Sequence, residues 1–407
     1  MNILFVSGDN NKYSGAFLSM VKLVSLLKSR YGHRILVLLP KKGNGQELLD
    51  EEGIEYIRIT SFLRSVPIRQ NAKWYSTIEG AGRTLVTKLH VPACEKLIRE
   101  RNIDLVHINV SDSFIGAYAA IKTNTPFIWH IREFLEEDHE RALYRKEKAY
   151  KVMCKAAKAV AISESIYNKY AEILDKNRIS VIYNGIDGSK YLDESHVLFK
   201  NNITQFLMVG NLSEGKGQIQ AIKACIKLHE RNKNICLKLV GGDPLNYEST
   251  LKNIVREAGA EEYIIFCGTQ DDTLSFYKEA DIFLMCSRSE AFGRVTVEAM
   301  LAGCFVIGAD SGGTKNLIAD DKTGFLYESG NTEDLYEKLS YALESRDEAQ
   351  TMAKRGQQFM LANMTADINA ERINQLYAEI LEGGAKRSKI IILSGVHGFS
   401  NYWRACA

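Results

Sequence analysis

The stretch SRSEAFGRVTVEAMLAG, residues 287–303, decides how the rest of this 407-residue sequence is interpreted. It follows the apolar run DIFLMC (281–286), which is typical of a buried parallel strand, and passes through Gly293 into a helical pattern. Glu290 therefore falls in a loop and Glu298 on a helix. The free N–H groups and positive dipole end of that helix favour phosphate, and carboxylates accept hydrogen bonds from sugar hydroxyls. The pattern suits a nucleotide-sugar. The alternative is that both glutamates are solvated and bind nothing, which is common when two glutamates at this spacing occur without other motifs.

Bulk composition allows two domains and indicates no nucleic acid partner. The net charge is +2 and 25% of the residues are charged. No apolar run approaches the roughly 18 residues needed to span a bilayer, and the first residues, MNILFVSGD, form a strand pattern without a signal-peptide core. We therefore expect a cytoplasmic protein. The eight cysteines show no C-x2-C pairing, which favours reduced core thiols over disulfides or zinc.

Apolar runs alternate with helical patterns in both halves of the chain. Those of the first half are residues 2–7, 35–39, 54–59, 103–109, 126–131, 159–163 and 179–182, and those of the second are 206–209, 235–240, 263–267, 281–286 and 305–309. Alternation at this spacing predicts two parallel, doubly wound α/β sheets. The first loop lacks G-x-G-x-x-G, so a dinucleotide-binding first half is disfavoured.

Ligands of such sheets bind outside the carboxyl ends of the strands, so polar residues just past those ends are candidates. In the first half these include Asn109, His130, Arg132 and Glu133, the last three within the polar cluster WHIREFLEEDHE. A histidine that is satisfied structurally at a strand end is the alternative for His130.

A glycine-flanked lysine follows the first strand of the second half. Lys216 lies between Gly215 and Gly217 in the loop GNLSEGKGQ, immediately before a helical pattern. A cation there would neutralise a bound diphosphate and stabilise the charge that grows on the leaving oxygen as a sugar departs. A solvated loop lysine is the alternative.

These motifs closely resemble those of family 4 of the retaining GT-B glycosyltransferases, the glycosyl transferases group 1, and the likeness extends to about Leu381. The resemblance implies a GT-B fold, with two Rossmann-like doubly wound parallel-sheet domains facing across a cleft. It implies that Glu290 contacts the transferred sugar and Glu298 the ribose of the nucleotide. It also implies that His130 contacts the transferred sugar and, with weaker support, that Asn109, Arg132 and Glu133 face the acceptor.

The same resemblance assigns further residues to the nucleotide-sugar site. Small residues at Ser14 and Gly15 let backbone amides approach the diphosphate, Gly241 lies in a glycine turn, and the turn at Gly268 holds the base through backbone groups. The assigned set around the two glutamates is Phe292, Gly293, Arg294 and Val295. Asn211 departs from the family, because most relatives have an arginine there. Either Arg294 supplies the second cation, or phosphate binding is weaker.

The domain boundaries follow from a turn signal and the second set of strands. We expect an acceptor-side domain over 1–187, a linker over 188–202 and a nucleotide-sugar domain over 203–364. A C-terminal helix at 365–383 would return to the first domain, as the family implies. The tail, 384–407, matches nothing in the family and is left unassigned.

The expected enzyme is a metal-independent hexosyltransferase without a cofactor, which uses a nucleotide-sugar, expected to be a UDP-sugar, as co-substrate. No D-x-D sequence occurs, so metal-bridged diphosphate binding is not expected. The acceptor would be a glycan or a lipid-linked chain of the bacterial capsule or exopolysaccharide type.

Basic and aromatic residues alternate over 61–96, which suits peripheral contact with an anionic membrane at its inner face; a solvated helix pair is the alternative. Three hypotheses compete with this one: a catalytically silent partner subunit, a nucleotide-sugar epimerase and a glycan phosphorylase. A phosphorylase usually needs a lysine that binds pyridoxal, and the sequence gives no support for one.

Overall fold

The chain divides into two units. A computed structural model describes residues 1–68, 73–231 and 233–382 of the protein. The first unit contains Met1–Gly185 and the described residues from Ala366 onward, and the second contains Ile186–Thr365.

The first unit is built on a parallel sheet. Its strands are β1 (Asn2–Val6), β2 (Arg34–Leu39), β3 (Glu55–Arg58), β4 (Ser65–Pro67), β5 (Leu105–Ile108), β6 (Phe127–Ile131), β7 (Arg141–Leu143), β8 (Lys158–Ala161) and β9 (Ile179–Val181). Parallel pairing gives the order β3-β2-β1-β5-β6-β8-β9. The strand order reverses between β1 and β5, and at such a point loops on opposite sides of the sheet diverge and leave room for ligands.

Helices connect these strands: α1 (Gly15–Tyr31), α2 (Gln46–Glu51), α3 (Lys73–Glu100), α4 (Ile115–Thr123), α5 (Leu135–His139), α6 (Lys146–Met153) and α7 (Glu164–Leu174). Ser14 caps α1 because its hydroxyl accepts a hydrogen bond from the N–H of Phe17. The apolar face of α1 is buried against β1 and β2, and this packing forms one side of the core.

Two features of the first unit differ from the sequence-based expectation. Strands β4 and β7 form a small antiparallel pair apart from the main sheet, and runs of three residues are too short for a periodic signal. In the described residues 73–96 of the basic and aromatic segment there is one helix, α3, with Pro92 inside it, so the helix pair that was the alternative to membrane contact is not formed there.

The second unit repeats the architecture. Its strands are β10 (Thr204–Val209), β11 (Ile235–Val240), β12 (Ile264–Gly268), β13 (Ile282–Met285), β14 (Phe305–Ala309) and β15 (Phe325–Tyr327), all parallel in the order β12-β11-β10-β13-β14-β15. Its helices are α8 (Gly188–Tyr191), α9 (Gln218–Glu230), α10 (Glu248–Glu257), α11 (Leu274–Glu279), α12 (Arg294–Leu301), α13 (Thr314–Leu317), α14 (Thr332–Glu344) and α15 (Arg346–Asn363). The predicted linker region, 188–202, includes α8 and belongs to this unit. The short strand β15 had no counterpart among the predicted runs.

The last described helix, α16 (Ala366–Glu382), belongs to the first unit and packs against α1. Ile373, Leu376 and Tyr377 enter the core of that unit, and Asp367 forms an ion pair with Arg30 at 2.5 Å. The core of the first unit is therefore built from both ends of the described sequence.

The prediction of two parallel doubly wound sheets is confirmed. Among the described residues no helix combines the length and the apolar character needed to cross a membrane. The unassigned tail, 384–407, and Arg69 of the basic segment lie outside the described residues.

Candidate functional site

Lys216 and Glu290 meet because their loops follow neighbouring strands. In the second sheet β10 pairs with β11 on one side and with β13 on the other, so the strand order reverses there. The loop after β10 carries Lys216, and the loop after β13 carries Glu290. Lys216 Nζ lies 2.7 Å from Glu290 Oε2, and both side chains are partly exposed. The ion pair therefore stands at the edge where parallel sheets bind ligands.

Close backbone contact locks these two loops together. A Cβ on Gly217 would lie 2.2 Å from the carbonyl oxygen of Cys286, and Gly217 has a φ of +75°. The N–H of Arg288 also donates to the carbonyl of Gly215 at 2.9 Å. Only glycine fits at 217, because both the positive φ and the approach of the other backbone exclude a side chain.

The loop after β14 fixes the other side of Glu290. The N–H of Gly313 donates to the carbonyl of Glu290 at 2.5 Å, and the Ser311 hydroxyl donates to the carbonyl of Ser287 at 2.8 Å. Glu290 is thus held at its backbone by one neighbouring loop and at its carboxylate by Lys216. A rigid carboxylate of this kind can orient a polar ligand with little loss of entropy.

Glu298 lies on α12, one turn beyond the helix start, and its side chain is 7% exposed. The fully buried Tyr277 donates its hydroxyl to Glu298 Oε2 at 3.0 Å, and Arg294 Nη2 approaches Oε1 at 3.4 Å. Burial raises the pKa of Tyr277 well above its usual range, so the phenol stays protonated and acts as a donor. The alternative of an exposed surface glutamate is wrong, because Glu298 is enclosed and held by two partners.

The structure places the other predicted residues of the second unit around this edge. Gly293 precedes α12 with a φ of +92°, Phe292 is buried, and Arg294 and Val295 are half-buried in the first turn. Gly241 donates its N–H to the carbonyl of Gly268 at 2.8 Å, which brings those two turns together.

Asn211, the residue that departs from the family pattern, is exposed. Its carbonyl oxygen accepts a hydrogen bond from Gln218 Nε2 at 3.0 Å. Arg294, the candidate for a second cation, has a carboxylate partner in Glu298 on the same helix.

In the first unit, His130 and Arg132 lie at the carboxyl end of β6 and are buried. Arg132 donates to Asn109 Oδ1 at 2.9 Å and to the side-chain oxygen of Asn184, and its Nη2 lies 3.2 Å from His130 Nδ1. Gly15 begins α1, the helix after β1, so its loop follows the strand at which the order of this sheet reverses.

A second histidine and a tyrosine extend this group into the core. His107 Nε2 lies 3.0 Å from His130 Nδ1, and His107 Nδ1 lies 2.5 Å from the hydroxyl of Tyr377. Burial and the charge of Arg132 hold the pKa of both histidines well below the usual range, so both are neutral at neutral pH. His130 Nε2 is buried and has no hydrogen-bond partner among the described residues.

Two carboxyl groups follow neighbouring strands of this sheet, Asp112 after β5 and Glu133 after β6. The N–H of Ser111 donates to Glu133 Oε1 at 2.7 Å, and Asp112 accepts from the Ser65 hydroxyl. Burial raises the pKa of Asp112, and burial together with the nearby Asp112 raises the pKa of Glu133 to about 8. Glu133 is therefore mostly protonated at neutral pH and can donate a hydrogen bond as well as accept one.

Several residues of these groups were not predicted as site residues: His107, Asn184, Tyr277 and Tyr377. His107 did carry a signal, since it is a polar residue inside the apolar run 103–109. The tyrosines carried none, because their side chains are typical of core positions. Within the described ranges no cluster of three or more His, Cys, Asp or Glu side chains has the geometry of a metal site.

Both halves of the chain match models of known protein families. Residues 15–190 match the family described as Glycosyltransferase Family 4, and residues 193–359 match the one described as Glycosyl transferases group 1. These two matches together span most of the chain, which therefore belongs to the group 1, family 4 glycosyltransferases.

Individual relatives are distant in sequence. N-acetyl-alpha-D-glucosaminyl L-malate synthase of Bacillus anthracis is 25% identical over 54% of this chain and 59% of its own length. The chain thus matches about three fifths of that relative. The capsular polysaccharide biosynthesis glycosyltransferase CapM of Staphylococcus aureus is 24% identical over 66% of this chain and 74% of its own length.

A solved structure matches the whole fold. HepE of Anabaena, crystallised with UDP and glucose, superposes with a TM-score of 0.75 at 22% identity and covers 93% of this chain and 100% of its own. That likeness shows that the fold of this chain is GT-B.

We predict that Gly217→Ala lowers the free energy of unfolding by about 1–3 kcal/mol, because a side chain at positive φ would meet the Cys286 carbonyl. Gly215→Ala is the matched control, since a Cβ there meets nothing within 4 Å. Thermal unfolding of both variants and the native protein measures the difference. Equal midpoints for the two variants would contradict the proposed contact between loops.

A second prediction concerns pH. The folded protein binds a proton at Glu133 that the unfolded chain has released, so stability falls as pH rises between about 5 and 8. In Glu133→Gln that loss should be smaller, because this position no longer titrates. Unfolding midpoints of both proteins, measured between about pH 5 and pH 8, test whether stability falls in this direction. Parallel pH profiles for the two proteins would contradict the raised pKa of Glu133.

Proposed function

We propose that this protein transfers a hexose, with retention at the anomeric carbon, from a nucleotide-diphosphate sugar to a glycan or lipid-linked acceptor. The observation that carries the proposal is the Lys216–Glu290 ion pair at the reversal point of the second sheet, 2.7 Å between Nζ and Oε2. It puts a cation for a diphosphate beside a carboxylate for sugar hydroxyls. The crystallised complex of HepE with UDP and glucose supports a UDP-sugar as the donor.

The second unit would bind the donor through groups of opposite charge. Lys216 and the start of α12 would face the diphosphate, and the departing phosphate would gain negative charge that Lys216 stabilises more than it stabilises the bound substrate. Glu290 would accept hydrogen bonds from the sugar, and Glu298, oriented by Tyr277, would accept them from the ribose. Lysine and helix dipole would replace a metal ion, so no cofactor is required.

Retention would follow if the acceptor hydroxyl enters on the same face as the departing phosphate, whose oxygen takes the proton. In the first unit His130 would contact the transferred sugar, and Asn109, Arg132 and Glu133 would face the acceptor. Arg132 is held by two asparagines and Glu133 by a backbone N–H, so their positions are fixed before a ligand arrives. The similarity to CapM, a capsular polysaccharide biosynthesis glycosyltransferase, supports a role in cell-surface polysaccharide synthesis. We propose that this activity takes place in the cytoplasm, at the inner face of the membrane.

Turnover of UDP-sugars by the purified chain in excess EDTA tests the proposed transfer reaction and its independence of metal. We expect transfer to persist without metal, and Lys216→Ala and Glu290→Gln each to lower kcat at least about 100-fold. Lys223→Ala, which changes an exposed lysine on the helix that follows Lys216, is the control and should retain activity. Strict dependence on a divalent metal would overturn the proposed diphosphate site.

Failure of the native chain to turn over any donor would favour a silent partner subunit. Asn211, which brings no charge where relatives have arginine, is the feature on which that alternative depends. Conversion of the donor to another sugar without an acceptor would instead indicate an epimerase.

We also propose that α3 contacts an anionic membrane surface. Trp74, Ile78, Leu85 and Leu89 lie on one helix face and are 71%, 61%, 60% and 69% exposed. Along the described residues 74–94 the exposed positions carry no carboxylate, and Lys88 lies at the edge of the face. An apolar strip bordered by a cation fits the boundary between acyl chains and acidic headgroups.

Sedimentation with vesicles tests this contact. Binding to phosphatidylcholine vesicles should increase when anionic phosphatidylglycerol is added, and should fall for the double variant Leu85→Ser with Leu89→Ser. Leu245→Ser, which changes a leucine of the second unit that is 71% exposed, is the matched control. Binding that ignores both lipid charge and the double variant would remove the proposal.

A further inference from the structure

The hydrogen-bond directions around His130 follow from its buried neighbours. Arg132 carries only donors, and its Nη2 lies 3.2 Å from His130 Nδ1. A proton on that nitrogen would face a guanidinium N–H, so Nδ1 must carry the lone pair. Because the neutral ring has one proton, it is on Nε2.

The lone pair on His130 Nδ1 also fixes the tautomer of His107. Its Nε2 lies 3.0 Å from His130 Nδ1, which is already an acceptor, so His107 Nε2 carries the proton and donates. His107 Nδ1 then accepts, and the hydroxyl of Tyr377 at 2.5 Å donates to it. His130 Nδ1 shares its lone pair between Arg132 and His107. Every hydrogen bond of the chain Tyr377, His107, His130 therefore runs in one direction.

The end of this chain is an unsatisfied donor. His130 is fully buried, and within the described part of the protein its Nε2 has no partner. A buried N–H without an acceptor is unfavourable, and an oxygen of a bound ligand would satisfy it. A neutral N–H matches a hydroxyl oxygen of a sugar, since such an oxygen accepts hydrogen bonds.

We propose that His107 and Tyr377 are positioning residues that reinforce the effect of Arg132 and hold His130 as the Nε2–H tautomer, so that it donates a hydrogen bond to a hydroxyl oxygen of the bound sugar. The inference rests on the proposed function for the identity of the ligand, but the tautomer itself does not. Helix α16 thus contributes to the site through one hydroxyl that acts on His107, beyond its packing in the core. Phe5 stacks on His107 with ring centroids 4.2 Å apart and keeps that ring in the plane that the chain requires.

Nuclear magnetic resonance of the full chain labelled with ¹⁵N-histidine tests the tautomers. Long-range ¹H–¹⁵N correlations distinguish a protonated Nε2 from a protonated Nδ1, and the signals of His107 and His130 are assigned by their loss in His107→Gln and His130→Gln. We expect both rings to be neutral Nε2–H tautomers at neutral pH. An Nδ1–H tautomer or an imidazolium at His130 would overturn the inference.

Substitution tests the role of Tyr377. Tyr377→Phe keeps the buried ring and removes the donor to His107 Nδ1, so only Arg132, acting through His130, still favours the Nε2–H tautomer of His107. We expect the His107 signals to show a fraction of the Nδ1–H tautomer and kcat/KM for the sugar donor to fall about three- to tenfold. Tyr341→Phe, which removes an exposed hydroxyl bonded to Glu348, is the control and should change neither.

Substitution of His107 gives a second, conservative comparison. His107→Gln retains an amide N–H that can donate to His130 and should keep more activity than His107→Leu, and equal losses would contradict the positioning role. The expected tautomers in a protein without transfer activity would overturn the proposed function and leave the chain of hydrogen bonds intact. Transfer activity with the wrong tautomer would overturn only the chain.

Discussion

The contact between the backbones of Gly217 and Cys286 is the constraint on which the candidate donor site depends. Parallel pairing of β10 with β13 brings their following loops to one edge of the sheet, but adjacency alone leaves loops free to diverge. The absence of a side chain at 217 lets one loop rest directly on the other. The lysine and the glutamate are then held within hydrogen-bond distance, and the loop after β14 holds the main-chain carbonyl of the same glutamate.

Much of this arrangement could be predicted from the sequence. Long apolar runs and glycines at their ends are local signals, so the strands, Lys216 and Glu290 were identified before their partners were known. The identity of the partners was not predictable, because Lys216 and Glu290 are 74 residues apart and a sequence pattern does not say which loops touch. The strand order decides which loops are neighbours, and the strand order depends on packing across the whole sheet. The short strands β4, β7 and β15 were missed for the opposite reason: each is too short to produce a periodic signal.

The first unit shows a different limit of prediction. His130 and Arg132 were found at the end of an apolar run, whereas Tyr377 lies 270 residues from His107 and resembles any core tyrosine on a helix. A buried polar group must find a partner, but nothing in the local sequence states where in the chain the partner is. Asp112 and Glu133 illustrate the same point, since burial raises the pKa of both and the nearby Asp112 raises that of Glu133 further, neither of which residue type alone indicates.

The return of α16 to the first unit affects how this chain folds as it is made. A ribosome synthesises the amino-terminal strands first, and domains commonly fold in that order as they emerge. Here Ala370, Ile373, Leu376 and Tyr377 belong to the same hydrophobic cluster as Ile3, Phe5 and the buried face of α1. The nascent first unit must therefore wait, with part of its apolar core uncovered, until the entire second unit has been translated. The described part of the second unit, Ile186–Thr365, is one continuous stretch of sequence, so it can reach its native state before the unit that precedes it.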